Sequence, residues 1–212
     1  MTTRRRSLLI LALALLAPAV VASASGMDTA VARQTVAPPT AADRSIGRAD
    51  APVTVIEYAS FSCSHCADWH RFVYPAFKTR FIDTGQVRLV FRNLPTQPED
   101  MSLPEAALAR CAAPERFFEV VSALMLGQDL VFRGGTREAW YAPAVAVSGR
   151  TRAQLDACAA TPATLAAINR DVESAQAAGA TSTPAFFVNG RRVTDRSLGG
   201  LEVAIRAAAA GQ

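Results

Sequence analysis

The run Val53-Thr54-Val55-Ile56-Glu57-Tyr58 stops just short of Cys63-Ser64-His65-Cys66, and a helical pattern opens at the second cysteine. The first stretch is β-branched and almost continuously apolar, as a strand covered on both faces should be. Behind the cysteines, Trp69, Phe72, Val73, Ala76, Phe77 and Phe81 recur at helical spacing, with Arg71, Lys78 and Arg80 as the solvent side. A cysteine pair at a strand-to-helix junction restricts the fold more than any other feature of the chain. A sulfur at the first turn of a helix faces unpaired backbone N–H groups and the positive end of the helix dipole, which favour thiolate over thiol. The motif therefore points to thiol–disulfide exchange, with Cys63 as the exposed nucleophile and Cys66, one turn in, as the buried resolving thiol. A static disulfide or a zinc knuckle are the bland alternatives. Zinc needs four ligands, and Cys63, His65, Cys66 and His70 have no distant second pair to support them, so no metal is expected. His70 reads as an ordinary helix residue.

The remaining pattern is a layered one. Pro75 should kink the first helix. Residues 87–91 read as the next strand, closed by Asn93-Leu94-Pro95. Residues 99–178 are alanine-rich and helix-like, with breaks expected at Pro114, Gly127, Gly134-Gly135, Pro143, Gly149 and Pro162, giving four or five short helices. Ala185-Phe186-Phe187-Val188, then Asn189-Gly190, then Arg191-Arg192-Val193-Thr194 has the chemistry of a two-residue hairpin. A last helix is expected over residues 198–209. The order is a mixed α/β plan with a helical block between its halves.

The N-terminus carries Arg4, Arg5 and Arg6, an apolar stretch over residues 8–16, and Ala22-Ser23-Ala24 as a small-residue cleavage site. Residues 1–24 read as an export signal cut near Ala24, either of the general secretory type or twin-arginine. A membrane anchor is the alternative, but the apolar core before Pro18 is short for a span. Without those three arginines, and with no acid lost, the formal charge of +4 falls to +1. A nearly neutral chain with no basic, aromatic-interleaved run excludes a nucleic-acid groove. Residues 25–42 read as a flexible leader and residues 43–212 as one domain.

Four further residues carry chemistry. His65, between the cysteines, can donate to the Cys63 thiolate or place a positive charge beside it. Each pKa unit gained there is worth about 1.4 kcal/mol, or about 30 mV in a two-electron couple, and makes the disulfide a stronger oxidant. Glu57 would be a charge inside a buried strand, costly unless it is protonated, paired or wet. Cys111 and Cys158 complete an even set of four cysteines, which in an oxidising compartment favours a structural pair. Two free thiols, or a relay disulfide to the active pair, are the other options.

On Val55-Ile56-Glu57-Tyr58-Ala59-Ser60-Phe61-Ser62-Cys63-Ser64-His65-Cys66, the helical block, and Thr183-Pro184-Ala185-Phe186-Phe187-Val188-Asn189-Gly190, the chain resembles the thioredoxin superfamily, and within it the DsbA family of exported thiol oxidases. The resemblance spans about residues 43–210. It implies a thioredoxin fold with an inserted helical domain at about residues 98–178. It further implies a proton-relay or pKa-tuning role for Glu57, and a cis-proline at Pro184 that lets Thr183 pair with an extended substrate segment. Some bacterial members similarly carry a second disulfide in the insertion. No cofactor beyond the disulfide is implied. The implied partners are reduced or unfolded exported polypeptides and a membrane DsbB-type reoxidising protein, in the periplasm, with the enzyme a monomer. The dipeptide Ser-His replaces the more usual Pro-His, and Thr183 stands where Val is common, so a disulfide isomerase or reductase, or a redox-inert peptide-binding chaperone, are the competing expectations.

Overall fold

The computed structural model describes residues 36–211. The expected export signal and most of the leader lie outside the described residues. Five strands form one sheet in the order β1-β3-β2-β4-β5, namely β1 (Arg44–Ile46), β2 (Val53–Ala59), β3 (Val87–Asn93), β4 (Ala185–Val188) and β5 (Arg191–Val193). β2 is central. It runs parallel to β3, with Val53 opposite Val87 and Glu57 opposite Phe91, and antiparallel to β4, with Glu57 opposite Phe186. A parallel pair needs a crossover, supplied by α1 (Ser64–Phe72), α2 (Tyr74–Phe77) and a π-helical turn (Lys78–Ile82). This is the thioredoxin fold, and α3 (Leu103–Arg110), α4 (Phe117–Phe132), α5 (Arg137–Val147), α6 (Arg152–Ala159) and α7 (Pro162–Ala177) lie between β3 and β4. α8 (Leu198–Ala210) closes the described chain.

Alternation along β2 divides the core in two. Val53, Val55 and Ala59 pack into the larger cluster with Trp69, Phe77, Leu124 and Leu201, while Ile56 and Tyr58 pack on the other face with Val90, Ala175 and Phe187. Both faces of the strand are buried, which is why its sequence is apolar almost throughout. Burying one such side chain contributes about 1.5–3 kcal/mol. At the β4–β5 turn, Asn189 and Gly190 take φ of 42° and 83°, the conformation that an Asn-Gly turn supplies at little steric cost.

Several expectations need correcting. The first helix breaks at Val73 and restarts at Tyr74, so Pro75 sits in the opening turn of α2, where its missing N–H does no harm. Phe72 is 72 % exposed, off the apolar face. Gly127 does not end a helix. It lies within α4, where a Cβ would come 2.8 Å from the Trp140 ring, so the glycine lets α4 and α5 approach closely. Pro143 lies within α5 on its exposed side, where water can satisfy the carbonyl its missing N–H leaves free. β1 had no clear sequence signal at three residues.

The end of the expected leader is held in place. Val36 is buried, and the Arg92 guanidinium donates to the carbonyls of Ala37 (3.0 Å) and Pro38 (3.2 Å) while pairing with Asp43 (2.8 Å). Arg92 also donates to Tyr58 and Ser174, so this buried charge is fully partnered. In the helical block, Cys111 at the end of α3 is bonded to Cys158 of α6, with their Cα atoms 5.8 Å apart. Among the described residues no helix is long and apolar enough to cross a membrane.

Candidate active site

The loop after β2 is fastened by its hydroxyls. The Thr96 backbone N–H and hydroxyl both donate to the Ser60 hydroxyl, at 3.1 and 2.9 Å, and the Ser62 hydroxyl donates to the Thr96 carbonyl at 2.9 Å. From below, the buried Gln128 of α4 donates its amide to the carbonyls of Phe61 and Cys63, the latter at 3.3 Å. Cys63 is thereby held as the N-cap of α1, in an extended conformation at φ −89° and ψ 115°.

The two sulfurs have opposite environments. The Cys66 thiol donates to the Cys63 sulfur and, with the Thr183 hydroxyl and the backbone N–H groups of Cys66 and His65, brings the Cys63 pKa down to about 5 despite partial burial. The sulfur makes no capping bond of ordinary length, so these N–H groups act at the longer range of sulfur contacts. The Thr183 carbonyl also lies 3.4 Å from Cys63 Sγ. A carbonyl can only accept from the thiol, so it is the hydroxyl of Thr183 that favours the thiolate. Burial pushes the Cys66 thiol well up, reinforced by its bond to Cys63 and by the negative charge of Glu57. One thiol is acidic and accessible and the other is shut away, the division of labour that exchange through a mixed disulfide requires.

His65 departs from expectation. Its side chain is exposed and makes no hydrogen bond to Cys63 among the described residues, since its position on α1 lies on the solvent side, unlike that of Cys66, while its backbone N–H is the group that faces the sulfur. Glu57 is fully buried on the α1 side of the sheet, and its Oε1 lies 3.2 Å from Nε2 of His70, both side chains having no exposed surface. His70, read from sequence as ordinary, and Gln128, not singled out at all, are the residues the sequence reading missed. For His70 a signal existed in its spacing, four residues after Cys66 on the same helix face. The Thr183–Pro184 peptide is cis and leads into β4, whose Ala185 pairs with Tyr58, so Thr183 stands opposite the loop that carries Cys63. Among the described residues no group of His, Cys, Asp or Glu side chains could hold a metal.

A sequence profile described as thioredoxin matches residues 40–207. The chain belongs to the thioredoxin family. Among solved structures, it is similar to alpha-DsbA1 of Wolbachia pipientis, at 26 % identity and a TM-score of 0.71 over 82 % of this chain and 94 % of that one. It is also similar in fold to BdbD of Bacillus subtilis, at 17 % identity and a TM-score of 0.71 over 84 % of this chain and 98 % of that one. In sequence it is 27 % identical over 176 residues to a Rickettsia bellii (strain RML369-C) protein whose name places it provisionally among protein-disulfide oxidoreductases. That match takes in 77 % of this chain and 63 % of the relative, so the chain spans under two thirds of that relative's length.

Proposed function

We propose that this protein is an exported thiol–disulfide oxidoreductase that introduces disulfide bonds into other polypeptides through Cys63 and Cys66. The observation that carries this reading is the acidic Cys63 beside the buried Cys66. A stabilised thiolate favours the reduced enzyme, so its disulfide is avid for electrons. A client thiolate attacks Cys63 of the disulfide, the Cys63–Cys66 bond breaks, and Cys66 leaves and takes up a proton. A second client thiolate then attacks the client sulfur of the mixed disulfide and Cys63 departs as thiolate. The client gains one disulfide and the enzyme holds two more electrons.

Other groups take supporting roles. Thr183 and Pro184 border the sulfur and receive an extended client segment, and Glu57 tunes Cys66. Its relatives' names, disulfide oxidoreductase and DsbA, agree with this chemistry. The full reading is residues 1–24 as a cleaved export signal, residues 43–212 as the working domain, a periplasmic monomer, and a membrane DsbB-type protein that reoxidises it.

The deciding experiment compares oxidation of a reduced model peptide with reduction of insulin. Peptide oxidation should be the faster, and the reduction potential should lie well above thioredoxin's, which is about −270 mV. A potential near that value with brisk insulin reduction assigns the protein to the reductases, and reactivation of scrambled but not reduced substrate assigns it to the isomerases.

A further inference from the structure

Cys66 and His70 are one turn apart on the inner face of α1, and Glu57 lies on the strand beneath them. The imidazole is enclosed by Trp69 of its own helix (5.2 Å between ring centres), Tyr74 of α2 (5.1 Å) and Phe91 of β3 (6.3 Å). The titratable groups facing it are Glu57 from β2, Tyr74 from α2 and Cys66 from α1. Burying a carboxylate here without a donor would cost several kcal/mol, and the contact between Nε2 and Oε1 is its one hydrogen bond. The other two polar atoms, Glu57 Oε2 and His70 Nδ1, are buried with no partner. With Nε2–H donating to Oε1, both are bare lone pairs, so the pair can accept another proton without breaking its own bond.

We propose that His70 is a positioning residue for proton transfer at Cys66, holding Glu57 in a proton-sharing pair that takes up and returns the proton Cys66 exchanges. This rests on the exchange reading above. In resolution, the Cys66 thiol gives its proton to the pair and its sulfur attacks Cys63. The Cys63–Cys66 bond forms as the bond between Cys63 and the client sulfur breaks, and the client sulfur leaves as thiolate. In the opposite direction Cys66 leaves as thiolate and recovers the proton from the pair. No further oxidant or reductant enters.

The test uses the reduced protein and dithionitrobenzoate, an aromatic disulfide that releases one coloured thiolate when Cys63 attacks and a second when Cys66 resolves. His70→Gln keeps a donor for Glu57 but removes the spare base. The second release should slow about tenfold at neutral pH, equivalent to one unit of proton affinity, and its pH profile should move, while the first release stays within about twofold because Cys63 attacks unaided. In a Glu57→Gln background His70→Gln should add no further slowing. An unchanged second release and pH profile, or effects of the two substitutions that multiply, would overturn the proposal. Should His70→Gln fail to fold, His70→Asn is read by the same criteria. The reagent reports both sulfurs whatever the clients are, so a wild type that does not oxidise peptides refutes the oxidase reading and leaves the His70 result separately legible.

Discussion

Gln128 reaches from α4 to the loop of Cys63, donating its amide to the Cys63 carbonyl at 3.3 Å. The contact ties the helical block to the strand-to-helix junction that carries the two cysteines. Gln128→Leu should leave the buried Phe61 carbonyl without its donor, costing about 1–3 kcal/mol, while the Cys63 carbonyl keeps the backbone N–H groups of Cys66 and Ala67. The melting temperature should fall, and alkylation of Cys63 should shift toward the pH of an ordinary thiol as the N-cap loosens. A variant with wild-type melting and alkylation shows that α4 is a bystander.

The Cys63 pKa of about 5 fixes how the reduced protein responds to pH. Its folded value lies below the unfolded value near 9, so the contribution to stability is complete above pH 9 and is lost as pH falls through 5. Cys66, pushed the other way, adds nothing in that window. The reduction potential should therefore fall by about 30 mV per pH unit above pH 5, where reduction takes up one proton, and about twice as steeply below it. Ultraviolet thiolate absorbance and redox titrations would check both, and a single steep slope through neutrality contradicts an acidic Cys63.

Cys66 heads the causes of that acidity, since its thiol donates to the Cys63 sulfur. Cys66→Ala should raise the midpoint of Cys63 alkylation. Cys66→Ser leaves Cys63 able to attack but unable to be released, and mixed disulfides with clients should accumulate on non-reducing gels. Their absence would indicate that Cys63 does not meet clients directly.

Thr183→Val removes the hydroxyl and keeps the shape. The Cys63 pKa should rise by about one unit, about 1.4 kcal/mol, which lowers the potential by about 30 mV and makes the disulfide a weaker oxidant. Iodoacetamide profiles and the potential read this together, and a change in neither shows the hydroxyl to be idle.

The bond between Cys111 and Cys158 closes a sequence separation of 47 residues. On chain entropy alone such a loop stabilises by about 4 kcal/mol. Replacing both by Ala should lower the melting temperature and leave peptide oxidation unchanged, whereas a fall in turnover with an unchanged melt would mark a relay.

Strands β2 to β5 and the junction were legible because they depend on local pattern, whereas β1, three residues long, carries too little pattern to read. β2 is apolar because both its faces are covered, and Asn189-Gly190 announces its turn through φ. What stayed hidden was relational. Gly127 looks like a breaker until Trp140 is seen against it, and Pro143 like another until its exposed side is known. His70 had the spacing but gained its partner only from the register of β2 beneath α1, and the outward side chain of His65 follows from helix geometry that a motif does not display.

Cys63 and Thr183 stand 120 positions apart in the chain. The Thr183 hydroxyl reaches the sulfur only where β4 is paired with β2. In an unfolded copy of this chain Cys63 and Cys66 are thus ordinary thiols like Cys111 and Cys158, and the acidity of Cys63 belongs to the folded state alone. Reactivity in this protein doubles as a certificate of completed folding.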